Sequence, residues 1–486
     1  MQMRRFGRAP DDPDGLPREP HLGDAAMPSE TPPTRISWHM RSGGVTTALR
    51  LLFSTIVAQI AVLAATVVSA AWLLPRDFAY YGAAFGIAGI VSSFNTLGIE
   101  TRLAVVEAAT MARLLRTGLA SCLGITALGT VVALFVAGSG QWDWGVVIVL
   151  AMAASMLSAS QGVVTTLALR ASQYGVLARS RVAQGIVNAA LIVTFSALPM
   201  PGYVALTGAW ILSMVVGLIV SLRGWSPPFP ASWRLTTADV SATRAEVGLQ
   251  PVTSLLAAVT VLIPLVVLPL VASASLAGSW ALSTRVLGAA VMAAFGSLQP
   301  VYYATAAEFV REHAFPRLAG WHRRWATWLT AATIPGFTVA GLVIAYGLPL
   351  LGDQWVDARA LVIPACLYWG SQFFGLPLSQ TLLLVGRIRL QLIWTVPRFV
   401  AAAAAFALWP LWGALASVWA WSVMCVVTYV ILTVIQARVL RHMASNATTP
   451  PSATTPPSSA GSPRGTAGRR GASSETARPG GPDVMS

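Results

Sequence analysis

The chain is a succession of apolar runs, each about twenty residues long, separated by short stretches rich in Arg, Pro and Gly. A helix of about twenty residues at 1.5 Å per residue crosses a hydrocarbon core of about 30 Å. Lipid offers the backbone no hydrogen-bonding partner, so only helices and closed barrels can cross it, and continuous rather than alternating apolar runs select helices. The runs predict spans near 50–74, 80–99, 117–138, 144–168, 182–198, 203–222, 251–273, 279–300, 326–348, 358–385, 390–411 and 412–435. The expected fold is therefore an all-α polytopic membrane protein with about twelve transmembrane helices in two six-helix lobes around a central cavity. Hydrophobic residues make up 55% of the sequence and charged residues 10%, against about 25% charged in soluble domains, which excludes a water-soluble fold.

All 32 basic residues are arginine and the formal charge is +14, yet the arginines punctuate the apolar runs and form no patch of the kind nucleic acid requires. They report orientation instead. Connections after even-numbered spans hold Arg102, Arg113, Arg116, Arg170, Arg179, Arg181, Arg223, Arg234, Arg244, Arg311, Arg317, Arg323, Arg324, Arg387 and Arg389, whereas connections on the other side hold only Arg76 and Arg359. The positive-inside rule then places both termini in the cytoplasm and the protein in the cytoplasmic membrane.

Composition divides the chain further. Residues 1–45 are polar, Pro-rich and of mixed charge, unlike a signal peptide, and read as a disordered tail in which Met27 and Met40 are alternative starts. Residues 441–486, rich in Ser, Thr, Pro and Gly, read as a second one. Between them lie an N-terminal lobe at 46–222, an inter-lobe linker at 223–250 with a short interfacial helix from Thr237 to Gly248, and a C-terminal lobe at 251–440; a second long connection is expected at 301–325. Weak repetition supports the division. Gln141-Trp142 before the fourth span recurs as Gln354-Trp355 before the tenth, and Ser160-Gln161 followed nine residues on by Arg170 recurs as Ser379-Gln380 followed by Arg389, both at matching positions of a six-plus-six arrangement.

Chemistry-bearing constellations are scarce. The five histidines fall in tails or connections, Cys122, Cys366 and Cys425 sit inside apolar runs, and no metal site, nucleotide loop or catalytic motif is present, so neither an enzyme nor a cofactor is expected. Ionisable side chains inside a bilayer are costly and mark pathways or partners. Only Arg285 and Arg398 lie clearly inside spans, with no acid well inside any span to neutralise them. They are the candidate binding residues for a phosphate or pyrophosphate, the alternative being that they snorkel to the headgroups. Gln59 and Asn95 are candidate cavity-lining polar residues, although interhelical hydrogen bonding also accounts for such side chains.

Proline is uneven along the chain. Pro264 and Pro269 fall in the seventh span, and Pro335, Pro364, Pro377 and Pro397 follow, so the seventh span is the expected flexing element or simply a static kink. Gly82 and Gly86 form a small-residue packing face on the second.

The stretch LLPRDFAYYGAAFGI at 73–87 with FNTLGIETRLAV at 94–105, and later LLGDQWVDA at 350–358 with PLSQTLLLVGRIRLQL at 377–392, resembles Wzx-type flippases of the multidrug/oligosaccharidyl-lipid/polysaccharide (MOP) exporter superfamily. Leu74 and Ala79 stand where that pattern favours glycine. The resemblance implies alternating access by two lobes, a lipid-diphosphate-linked sugar as substrate, membrane lipids as surroundings, and a polysaccharide polymerase or glycosyltransferases as partners. It also makes Asp77 a turn residue. The competing expectations are a cation-coupled multidrug or metabolite exporter of the same superfamily and a non-transporting scaffold of a polysaccharide assembly complex. The absence of buried acids, set beside the buried arginines, favours an anionic cargo.

Overall fold

The segment Leu73-Leu74-Pro75-Arg76-Asp77 shows how one crossing ends and the next begins. Proline lacks an N–H and has a fixed φ, which suits the first turn of a helix and little else in it. Asp77 Oδ2 accepts the backbone N–H of Leu74 at 3.2 Å, which caps that turn. In the computed structural model of the chain, which describes residues 42–448 except 104, 105, 107, 172, 228, 231 and 380, the second helix accordingly starts at Pro75. Capping chemistry thus places the helix start ahead of the residue 80 expected from apolarity.

Twelve long helices carry the architecture: α1 (Ser42–Ala70), α2 (Pro75–Asn95), α3 (Ala108–Gly138), α4 (Trp142–Arg170), α5 (Tyr174–Ser196), α6 (Gly202–Gly224), α7 (Gln250–Val271), α8 (Ala274–Arg311), α9 (Phe315–Gly347), α10 (Ala358–Ser379), α11 (Ile388–Ala407) and α12 (Ala414–Thr448). Among the described residues, nine helices, α3 to α7 and α9 to α12, are long and apolar enough to cross a membrane, and α1, α2 and α8 pack in series with them. With twelve long helices running in alternation, Ser42 and Thr448 lie on one face, called here the terminal face.

The helices pack as two lobes whose wiring corresponds at five helix pairs, while α2 also meets α6 in the first lobe and α9 meets α12 in the second. In the first lobe α1 packs on α5, α5 on α6, α2 on α4, α3 on α4 and α4 on α6; in the second the corresponding pairs are α7 with α11, α11 with α12, α8 with α10, α9 with α10 and α10 with α12. This repetition of contacts is far clearer than the repetition of letters. The lobes meet where α2 lies along α7 and α8, and where α1 crosses α8. Small residues permit the approach. A Cβ at Gly82 would sit 2.8 Å from Ala281 Cβ, and one at Gly86 2.9 Å from Val266 Cγ2, so the packing face expected on α2 is the inter-lobe seam.

The terminal face differs from expectation in two places. The connection expected at 301–325 is mostly helix: α8 runs on to Arg311, α9 begins at Phe315, and a tight turn with His313 at φ +54° joins them. At 38 residues α8 is about 57 Å long, well beyond the hydrocarbon core. Its extension carries a small core of its own, in which Tyr302, Ala306, Leu318 and Leu329 are buried with Leu440. That burial also explains why α12 persists to Thr448 rather than giving way to a polar tail at 441. Residues 1–41 and 449–486, read from composition as tails, lie outside the described residues, as does Gln380 of the sequence repeat.

The linker helix appears as Thr237–Val247 and is closed by Gly248 at φ +54°, in the left-handed region that favours glycine. Thr236 and Asp239 cap its start reciprocally, and the helix docks on α3 through Arg116 to Asp239 (3.1 and 3.2 Å), Arg113 to Glu246 (2.5 Å) and Thr117 to Thr243 (3.2 Å). The linker therefore belongs mechanically to the first lobe.

Candidate functional site

Between the lobes lies a cavity of about 610 Å³, bounded by α1, α5 and α6 on one side and by α8 and α10 on the other, with α2 and α7 behind. Its size falls within the range of small-molecule and cofactor sites, about 300–1,000 Å³. Arg285 of α8 stands at the deep end. Its Nε donates to Thr66 Oγ1 at 3.1 Å, and its guanidinium lies 4.8 Å from the ring centroid of Tyr81. These contacts hold the side chain across the seam from α8 to α1 and α2 while leaving it half-buried at the cavity wall.

A second cation lies at the other end. Arg181 of α5 lines the cavity with Thr55, to whose Oγ1 it donates from Nη1 at 3.4 Å. Thr55 and Thr66 are eleven residues apart on α1, which separates the two arginine stations by about 17 Å along the helix. Amides fill the interval: Gln59, Gln184, Asn188 and Gln299 all line the cavity, and Asn188 Oδ1 is buried without a hydrogen bond within the protein. No Asp or Glu is among the described lining residues. A wall of guanidinium and amide groups without carboxylates is suited to an anion with several oxygen acceptors.

The four residues singled out from the sequence do not converge. Arg285 and Gln59 share the cavity. Asn95 is fully buried inside the first lobe, where its Nδ2 donates to Ser155 Oγ at 3.2 Å across α2 and α4. Arg398 is 3% exposed inside the second lobe, 4.9 Å from the ring centroid of Trp394 and 4.6 Å from that of Tyr429. The station expected of Arg398 is held by Arg181. From hydropathy Arg181 is a connection residue, because the fifth apolar run begins at 182, whereas α5 starts at Tyr174.

At the face opposite the termini the lobes are shut. Trp355, fully buried, donates from Nε1 to Ala70 O at 3.1 Å and meets Phe78 edge-to-face at 5.3 Å. A Cβ at Gly278 would collide with the Pro75 carbonyl, so α8 touches the start of α2 backbone to backbone. The repeat partner of Trp355, Trp142, is 69% exposed, and the Gln-Trp pair therefore seals the lobes on one side only. Asp77 takes no part in chemistry; besides capping α2 it accepts the Tyr203 N–H at 3.3 Å and ties α2 to α6. Glu100, on the short helix Glu100–Leu103, is half-buried, accepts from Thr96 at 3.3 Å and abuts Gly162 outside the cavity; burial pushes its carboxyl above the ordinary range. His322, expected in a solvated connection, is instead 2% exposed on α9 and hydrogen-bonds through Nδ1 to Tyr302 Oη at 2.9 Å, since α9 begins eleven residues before the expected span.

No protein-family profile matches the chain, and no curated protein does. Solved structures do. An inward-facing multidrug resistance MATE family transporter of the MOP superfamily aligns over 82% of this chain and 99% of its own, with a TM-score of 0.58 at 14% identity. The lipid II flippase MurJ, in an inward closed conformation, aligns over 82% of this chain and 90% of its own, with a TM-score of 0.62 at 10% identity. The chain shares the fold of these two structures. An outward-facing MATE transporter is similar at a lower TM-score of 0.54 over 83% of the chain. The solved structures to which this multi-pass membrane protein is similar are transporters and a flippase, not enzymes.

Proposed function

We propose that the protein is an alternating-access transporter that flips a lipid-diphosphate-linked oligosaccharide, or a related polysaccharide precursor, across the cytoplasmic membrane. The observation that carries this reading is the cavity between the lobes, with Arg285 and Arg181 at its two ends, amides between them and no carboxylate among its described lining residues. Arg285 binds the phosphates at the deep end and Gln59 a neighbouring oxygen; Arg181 meets the cargo first. The fold-level likeness to a lipid II flippase supports the same class of cargo. A cationic drug is disfavoured, because it would have to leave water for a cavity of its own sign.

The arginine count supports a cytoplasmic terminal face, and on that orientation the structure with its opposite face shut is the state that loads cargo from inside. Rocking the lobes about the α2–α7 seam opens the other side, while the lipid tail stays in the bilayer.

The test is complementation of a flippase-deficient polysaccharide pathway. Arg285→Ala, at normal protein level, is expected to cut export about 10- to 100-fold, the range for losing one charge-assisted hydrogen bond of about 1.5–3 kcal/mol. The lipid-linked intermediate should accumulate on the cytoplasmic leaflet. Full export by Arg285→Ala would remove the anion-site reading.

A further inference from the structure

Arg398 raises a question that the cavity does not answer, because it lies in the interior of the second lobe. It is ten residues into α11, about 15 Å from that helix's terminal-face end and so near mid-bilayer, and at 3% exposure it cannot reach headgroups. The faces of its guanidinium meet the rings of Trp394 and Tyr429. Ring faces stabilise the charge, but guanidinium N–H groups point outward in their own plane and still need acceptors. Two do not find them: Nε and Nη2 of Arg398 make no hydrogen bond within the protein.

The groups around it repeat the pattern. Tyr429, under the guanidinium, donates its hydroxyl to Gln372 Oε1 at 2.9 Å, which leaves the 2% exposed Gln372 with a free Nε2. Ser422 Oγ, fully buried without a hydrogen bond, shares a face of α12 with Cys425 and Tyr429 by its three- and seven-residue spacing. Orphaned donors thus gather near the guanidinium edge: the carboxamide NH₂ of Gln372, whose oxygen holds the tyrosine under it, and the Ser422 hydroxyl on the same face of α12. The orphaned amide oxygens of these helices, Gln391 Oε1 and Gln436 Oε1, stand two turns away from Arg398 and Tyr429 along α11 and α12. Buried polar groups in native proteins are satisfied, and an accumulation of donors is satisfied by an acceptor that carries negative charge.

We infer that the second lobe binds a small monovalent anion, chloride in the cell, between α10, α11 and α12 at Arg398, with Gln372 Nε2 and Ser422 Oγ as further donors. The ion neutralises the arginine and clamps the three helices together. This site is separate from the inter-lobe cavity and independent of what that cavity carries.

The test is thermal unfolding of the purified full-length protein in detergent, with chloride titrated against gluconate at constant ionic strength. A bound ion raises the melting temperature with the logarithm of its concentration above saturation. The wild type and Arg285→Met are expected to show that slope, with bromide able to replace chloride. Arg398→Met is expected to lose it. Gln372→Glu places a carboxylate beside the guanidinium, so it is expected to be as stable in gluconate as in chloride, and it decides the matter should Arg398→Met fail to fold. A flat wild-type titration overturns the proposal. So does a slope that survives Arg398→Met or Gln372→Glu, or one that disappears in Arg285→Met, which would place the ion in the cavity.

Discussion

The two lobes share one pattern of helix contacts and hold their charges in opposite ways. In the first lobe arginines face carboxylates at the rims: Arg76 with Asp143 at 2.7 Å, and Arg113 and Arg116 with Glu246 and Asp239 of the linker helix. In the second lobe no ion pair occurs among the described residues, and Arg398 is enclosed by aromatic rings. Proline follows the same division. Pro264, Pro269, Pro335, Pro364, Pro377 and Pro397 lie inside helices of the second lobe, and no proline lies inside a helix of the first. An exposed pair such as Arg76–Asp143 is worth about 0–1 kcal/mol, and the main effect of the three pairs is to fix the linker and helix ends in register. This contrast makes α7, with its two internal prolines, the place where the second lobe is expected to bend against a stiffer first lobe and linker.

The largest effect is expected where the lobes are sealed. Trp355→Ala removes a fully buried aromatic and should cost about 3–5 kcal/mol, read as a lower melting temperature together with faster thiol labelling of Thr66→Cys from the opposite face. If labelling stays slow, the seal lies elsewhere. Next comes Gly278→Val, which cannot coexist with the Pro75 contact. Overpacking of about 1–3 kcal/mol should tilt the equilibrium about 5- to 150-fold toward the state open on the opposite face, measured by spin-label distances between the lobes. Pro264→Ala combined with Pro269→Ala restores backbone donors within α7; it should slow transport several-fold while leaving the first lobe's distances unchanged. An unchanged rate would make the kinks static and dissolve the stiff-versus-bending contrast.

The smallest effect concerns the linker. Arg116, followed by the Thr236 hydrogen bonds, holds the Asp239 carboxyl below its ordinary value of 3.8. A depressed carboxylate stabilises the docked helix above that ordinary value, and its contribution disappears as pH falls through the lower folded value. Hydrogen-exchange protection in 237–247, taken relative to the intrinsic rate at each pH, should therefore be constant from neutrality down to about pH 5 and fall only in stronger acid. Asp239→Asn should show the faster exchange at neutral pH.

Helix number, the two-lobe division and the linker helix were legible in the sequence because apolar length and capping residues encode them locally. Where α8 and α9 end was not. Hydropathy registers contact with lipid, and Tyr302, Leu318 and His322 belong to a core that continues past the bilayer. The site was half legible. Arg285 is conspicuous as a charge inside an apolar run, but nothing in the letters tells which way an intramembrane helix faces, since lipid and protein interior are equally apolar. Arg398 therefore looked like Arg285 until packing put rings around it, and Arg181 looked like a loop residue until α5 was seen to begin at Tyr174.

The exclusive use of arginine has an electrical consequence. A guanidinium stays protonated at any physiological pH, so the cavity cannot shed its two positive charges as a lysine or histidine pair could. Under the proposed function, a site loaded with a diphosphate is close to neutral and crosses without working against the field. Empty, it is a gating charge, and each elementary charge moved through 100 mV is worth about 2.3 kcal/mol. Under the same proposal, a membrane potential negative inside draws the unloaded protein back to its cytoplasm-facing state, making the return stroke, rather than the delivery of cargo, the voltage-driven half of the cycle.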